Sequence, residues 1–391
     1  MSSSNVRSDF HSWLNALTAP SVAGEHAASV DAQARFPGEA VNAFKKEGLL
    51  SAPLPVSAGG IGLTLREQGE LVGRVAEHCG SSAMVLAMHY NQLACVARHG
   101  LGTPFFDQFA ADLVRQQLLL ASITSENGTF GETRTSVCAV LVNGARFTLD
   151  KDATTGSYCE HADAILVTSR RNAEAGPSDQ ALTLALKGQY TLQQTTQWDT
   201  MGMRGTCSPG FLFSAEGPAE QVWPVGYGDI AALSMVPFSH ILWSALWCGL
   251  AAAAHAKAAM VVRNQARKNP GVVPPTANRL AELTVKLQAL RHNWQSVANE
   301  FDELVAQGRD RQVLTEIAWA LKLNNLKIAS SDAAPRLVHD ALQILGIPGY
   351  SNQGPLSVSR IYRDALSGSL MIANDRIAGK SAALLLVHKH R

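Results

Sequence analysis

The feature that most limits the folds open to this chain is a block of short β-rich runs set between two long stretches of helical periodicity. Ahead of the block, apolar residues recur at helical spacing over 36–50, 65–79, 82–99 and 105–117, and Pro53, Pro55 and Gly59-Gly60 end the first of these. The block itself runs through 118–124, 135–142, 146–149, 164–169, 181–186 and 211–214, with Asn143-Gly144 as a hairpin signal between two of the strands. Helical patterns then return over 239–267, 276–307, 311–346 and 360–388. Strands confined between helical sets predict an α+β protein. At 391 residues the chain exceeds what one core usually serves. Three sub-domains are therefore expected: helical over 1–120, β over 121–228 and helical over 229–391.

Charge narrows the partners. Lys plus Arg number 33 and Asp plus Glu 32, so no net field draws nucleic acid or an anionic membrane. Small molecules or other proteins are the expected partners. The six cysteines are scattered without a C-x-x-C pair, which fits neither a zinc site nor a disulfide framework and suits a reducing compartment. No metal site is expected. The opening residues Met1 to Arg7 lack the apolar stretch of a secretory signal, so a cytoplasmic location is expected. The segment 241–262 is apolar enough to span a bilayer, but His255 and Lys257 interrupt it and Ala dominates its second half. A buried bundle helix is the expected reading.

Six local patterns follow one another along the chain. They are Leu49-Leu50…Pro53…Gly59-Gly60-Ile61-Gly62; Ile123-Thr124-Ser125-Glu126-Asn127-Gly128-Thr129-Phe130-Gly131-Glu132; Lys151…Thr154-Thr155-Gly156; Met201-Gly202-Met203-Arg204-Gly205-Thr206; Ala266-Arg267-Lys268-Asn269-Pro270-Gly271; and Asp340-Ala341-Leu342-Gln343…Gly346…Gly349-Tyr350, followed by Arg363-Asp364-Ala365. Each alone reads as a turn or a helix end. In this order they resemble the acyl-CoA dehydrogenase superfamily, and the Met-Gly-Met-Arg-Gly-Thr segment is the most specific match. The resemblance implies a middle β-barrel-like domain, a C-terminal four-helix bundle and a bound flavin, FAD or alternatively FMN.

It also assigns roles. Ile123, Ser125, Gly131, Thr154 and Thr155 would meet the flavin from the β domain. Arg267, Gln343 and Gly346 would reach the cofactor of a neighbouring subunit, which implies a homodimer or homotetramer. Asn374 would touch the cofactor from the last helix. The Thr154-Thr155-Gly156 loop is nearer to the flavin monooxygenase branch, and the family's flavin-facing Trp is missing from it.

The catalytic carboxylate of the dehydrogenases has no counterpart. Its two family positions fall on Ile372 and on Ser239, and neither side chain serves as a base unaided. Asp375 and His240 are the substitute candidates. Three readings stay open. The first is an FAD-dependent oxidation of an acyl thioester, carried by coenzyme A or a carrier protein, with an electron acceptor protein. The second is a reduced-flavin monooxygenase fed by a flavin reductase, which needs no such Glu. The third is a flavin or acyl-CoA binder without turnover.

Overall fold

The computed structural model describes residues 9–388, and its helices and strands follow the expected α+β order. Among the described residues six α-helices come first: α1 Phe10–Ala16, α2 Ala19–Gln33, α3 Gly38–Lys46, α4 Leu65–Ala76, α5 Gly80–His99 and α6 Pro104–Gln116. A capping box fixes the start of α4, where the Thr64 side chain accepts from Glu67 and the Glu67 carboxylate accepts from the Thr64 N–H. Sixteen residues of α5 are buried, His89 among them, so this helix is enclosed on nearly every side.

Among the described residues seven strands form two sheets: β1 Leu120–Ile123, β2 Leu141–Asn143, β3 Arg146–Ala153, β4 Ala164–Arg170, β5 Gln180–Leu186, β6 Tyr190–Gln194 and β7 Phe211–Pro218. The first sheet has the order β1-β4-β5, with β1 parallel to β4; the second is antiparallel in the order β2-β3-β7-β6. Strands β3 and β7 alternate buried with exposed residues, so their sheet has one wet face. Strands β4 and β5 are buried almost throughout. Ile165, Val167 and Ala181 face the main core, while Leu166, Leu182 and Leu184 join Phe106, Phe109 and Trp223 in a second cluster.

The C-terminal region holds three long helices, α7 Val236–Lys268, α8 Thr276–Ala306 and α9 Ile317–Leu345, then α10 Ser359–Leu366 and α11 Asn374–Leu385. The bundle's last position is thus shared by two short helices. Among the described residues, the stretch Tyr227–Lys268 is the one long and apolar enough to cross a membrane, and its most apolar window is mostly buried among the other helices. Pro237 has no N–H to close an α-turn, and the chain widens into a π-helical turn over Ala231–Met235 just before it. Helices α4 and α7 touch backbone to backbone, because a Cβ on Gly249 would overlap the Gly73 carbonyl. Gly249→Ala should therefore push the helices apart and cost about 2 kcal/mol, read as a lower urea midpoint with an unchanged slope.

Several elements depart from the sequence reading. The run 135–142 gives a strand only at Leu141–Asn143. The N–H groups of Val137 and Cys138 donate instead to the Glu126 carboxylate, so they are lost to a ladder. Helices α1 and α2 and strand β6 carried too little apolar periodicity to be singled out. The last helical pattern breaks at 367–373, where Ser367-Gly368-Ser369 favours a tight turn over a helix.

Candidate active site

Strand β1 ends at the buried Ile123, and the chain turns outward through Ser125. Strand β3 ends at Ala153 and delivers Thr154 and Thr155 beside it, both exposed. Ser125 Oγ lies 3.0 Å from Thr155 Oγ1 and accepts the Thr155 N–H at 3.2 Å. The two predicted flavin-facing loops therefore meet as a pair of hydroxyls at one mouth.

A buried ion pair anchors this mouth from beneath. Lys151 Nζ stands 3.4 Å from Glu126 Oε2, with the two side chains 0% and 3% exposed. Burial pulls the Lys151 ammonium below the ordinary lysine range, and Glu126 opposes that pull. Lys151 also donates to the Thr168 carbonyl at 2.6 Å, and Glu126 accepts from Val137 at 3.1 Å and Cys138 at 2.6 Å. Such a pair holds geometry more than it adds stability.

Beyond Glu126 the loop carries Phe130 at φ 52 and Gly131 at φ 76, and the Phe130 ring is 90% exposed. The guanidinium of Arg376 in α11 donates to the Phe130 carbonyl and fills the space a Cβ on Gly131 would need. Lys380 of the same helix pairs with Glu132 at 2.8 Å. Gly131 thus faces a cation of the last helix. An open groove of about 520 Å³ runs alongside, lined by Gly128, Phe130, Glu132, Val137 and Arg170 among others.

The link from α10 to α11 carries Ile372, one of the two positions where the family resemblance expects a carboxylate. Asp364 is buried and accepts the N–H of Met203, itself at φ 50, at 2.7 Å; burial pushes its carboxyl up to about 6. Arg363 donates to Asp31 at 2.5 Å and to the Met201 carbonyl at 2.6 Å. The Arg-Asp-Ala motif therefore ties α10 to the Met-Gly-Met-Arg-Gly-Thr loop, which is a structural duty.

Downstream, Ile372 adopts φ 46 and is 39% exposed. A left-handed β-branched residue stores roughly 1–3 kcal/mol. Its carbonyl accepts from Lys327 of α9 at 2.9 Å. The Asn374 side chain is turned inward: its Oδ1 accepts from Lys327 at 2.6 Å, and its amide donates to Ser331 at 3.0 Å and Asp332 at 2.9 Å. Asp375 is exposed in the first turn of α11.

His240 and Ser239 lie buried near the start of α7. Ser239 Oγ donates to the Val236 carbonyl at 3.0 Å and stands 3.0 Å from His240 Nδ1. Burial first, and then the charge of Lys327, push the imidazole down to about 3. At neutral pH it is uncharged and a weak proton acceptor.

Other predicted residues lie apart in the chain. Arg267 is exposed at the far end of α7, about 40 Å along the helix from His240 at 1.5 Å per residue. Gln343 and Gly346 are exposed at the end of α9, and Gly346 takes φ 63 where that helix stops. One protomer does not gather these three around the Ser125–Thr155 mouth.

The sequence reading passed over Lys327. Its signal is present: it lies on the buried stripe of Leu323, Leu326, Ser330 and Ala334, where a lysine has no solvent to reach. For a flavin, the hydroxyl pair suits the polar edge of a ring: when Ser125 donates the mutual bond, the Thr155 proton is left for a ligand, and when Thr155 donates it, the Ser125 proton goes to the Thr155 carbonyl at 3.2 Å. Ala153 supplies no aromatic face there.

Comparison with known proteins gives two family matches, "Acyl-CoA dehydrogenase, N-terminal domain" over residues 9–103 and "Acyl-CoA dehydrogenase, C-terminal domain" over residues 231–372. The amino sugar nitrososynthase DnmZ of Streptomyces peucetius is 27% identical over 87% of this chain and 84% of its own. Cyclohex-1-ene-1-carbonyl-CoA dehydrogenase of Geobacter metallireducens is 25% identical over 87% of each. Among solved structures, FMN-bound TdsC from Paenibacillus sp. A11-2 superposes with a TM-score of 0.82 at 19% identity, covering 97% of this chain and 98% of that one.

Proposed function

Because the chain belongs to the acyl-CoA dehydrogenase superfamily, we propose that it is a flavin-dependent enzyme of the oxygenating kind, acting on the amino group of a small molecule such as an amino sugar. One observation carries this reading: the two positions from which a dehydrogenase would draw its carboxylate hold Ile372 and Ser239. The substitutes do not repair the loss. His240 is held neutral with its pKa near 3, and Asp375 sits exposed on the first turn of α11. Removing a proton next to a thioester carbonyl needs a base placed against that carbon. Oxygenation needs no such base. The nitrososynthase relative favours an amine as the substrate class.

Reduced flavin, when bound, supplies two electrons and two protons to dioxygen; one oxygen atom enters the new N–O bond and the other leaves as water. The chain's own residues would do the rest. Ser125 and Thr155 would hold the ring edge by hydrogen bonds, anchored through Glu126 and Lys151. Ile372 would present an apolar wall that keeps bulk water from the reacting oxygen. The hydroxyls and that wall act as one site only if the connector at 367–373 borders the mouth. The contacts of Arg376 and Lys380 with the loop after Ser125 support that.

The test supplies reduced FMN or FAD from a separate flavin reductase, under air, with free and nucleotide-linked amino sugars. The expected product carries an added oxygen on nitrogen and forms only with oxygen present. Anaerobic bleaching of the bound oxidised flavin by a panel of acyl-CoA esters, with no oxygenated amine, would return the protein to the dehydrogenases.

A further inference from the structure

We infer that Lys327 is a positioning residue for the reaction site: its ammonium fixes the path of residues 368–374 and so sets where the Ile372 side chain stands. The residue is fully buried in the middle of α9. All three of its donors are used, on the Gly368 carbonyl at 3.0 Å, the Ile372 carbonyl at 2.9 Å and Asn374 Oδ1 at 2.6 Å. Every acceptor belongs to one short connector, and no acidic side chain takes any of these bonds.

An ammonium buried without a paired carboxylate is costly, so its three acceptors must be held in place. The connector in turn gains a fixed centre that overcomes the left-handed turn at Ile372. The surroundings reinforce it. Ser331 and Asp332, on the next turn of α9, take the Asn374 amide. The Trp247 ring lies 5.8 Å from Nζ, and a Cβ on Gly368 would stand 3.0 Å from that ring. The connector is thus held from its inner side, while Leu370 and Ile372 keep exposed side chains on the outer side. This inference rests on the proposed reading that the connector borders the reacting amine.

The test uses the full-length flavin-loaded protein and two readouts. Lys327→Met keeps the stem and removes the charge. Amide hydrogen exchange over 368–377 should rise sharply while α4 and α5 keep their protection. The turnover of the amino-sugar probe should fall roughly a hundred-fold with KM changed far less, as expected when a wall of the site moves by about an ångström. Ser330→Ala, an equally buried change on the same helix at a hydroxyl without a partner, should alter neither readout.

Unchanged exchange in Lys327→Met overturns the inference. Raised exchange with unchanged turnover overturns it as well, since the connector would then be held but idle in the reaction. A parent enzyme that oxygenates no amine defeats the functional reading instead, and the exchange result then shows separately whether Lys327 holds the connector. Should Lys327→Met not fold, Asn374→Ala removes one of the three acceptors and must produce the same local exchange; a silent Asn374→Ala overturns the inference.

Discussion

Lys151→Met should lower the unfolding free energy by about 3–5 kcal/mol, the cost of leaving Glu126 buried without its cation. The two side chains are 0% and 3% exposed, so water cannot replace the lost ammonium. The carboxylate would still accept the N–H groups of Val137 and Cys138, and that keeps the penalty from growing further. Replacing both partners, as Lys151→Met with Glu126→Gln, removes the stranded charge and should recover part of the loss, the rest remaining because the Gln amide has one acceptor oxygen for the two N–H groups of Val137 and Cys138. Urea unfolding of the three proteins reads this directly. Single and double variants of equal stability would show that the pair carries no such strain. Ser125 sits next to Glu126 in the chain, so flavin retention should fall in the single variant and return in the double.

Acid should destabilise the protein through His89. This imidazole is fully buried in α5 and is held in its neutral form: Nε2 donates to the Leu50 carbonyl at 2.7 Å, and Nδ1 accepts the Leu120 N–H at 3.0 Å. Burial lowers it from the ordinary 6.5 to about 4. Between those values the unfolded chain binds a proton that the folded one refuses, so stability is complete above 6.5 and is lost as pH falls toward 4. The loss is about 3 kcal/mol for this one group. His240 acts in the same direction. Asp364, whose buried carboxyl is pushed up to about 6, acts in the opposite one. The difference between His89→Gln and the parent therefore isolates the effect. Urea midpoints at steps from pH 7.5 to 4.5 should fall more steeply for the parent, and parallel curves would defeat the assignment.

Much of the architecture was readable before any coordinates. Long helical periods and the Asn143-Gly144 hairpin fixed element types, because those signals come from local burial and turn chemistry. The breaks were harder to read. Ser367-Gly368-Ser369 marks the interruption at 367–373 locally, but the path the connector then takes depends on Lys327, forty residues earlier in the chain, and no local window contains that contact. The irregular path of 135–140 depends in the same way on Glu126 taking two backbone protons.

The site divided along the same line. Ser125 and Thr155 were found from their motifs and do meet. The ordinary pKa of imidazole recommends His240 as a base, and its burial withdraws that basicity. The resemblance expects Asn374 at the cofactor, and in this protomer its side-chain amide donates to Ser331 and Asp332 of α9.

The grip of Arg376 and Lys380 on the loop at 130–132 has a mechanical consequence. Helix α11 is moored on two sides, to the loop at 130–132 through Arg376 and Lys380 and to α9 through Asn374 and Ser381, so a tilt of the strand-rich lobe would be passed on to α9. The peptide units between Leu366 and Asn374 offer little slack, since Lys327 holds the Gly368 and Ile372 carbonyls. The width of the groove beside that loop and the posture of α11 are therefore set by the same clasp.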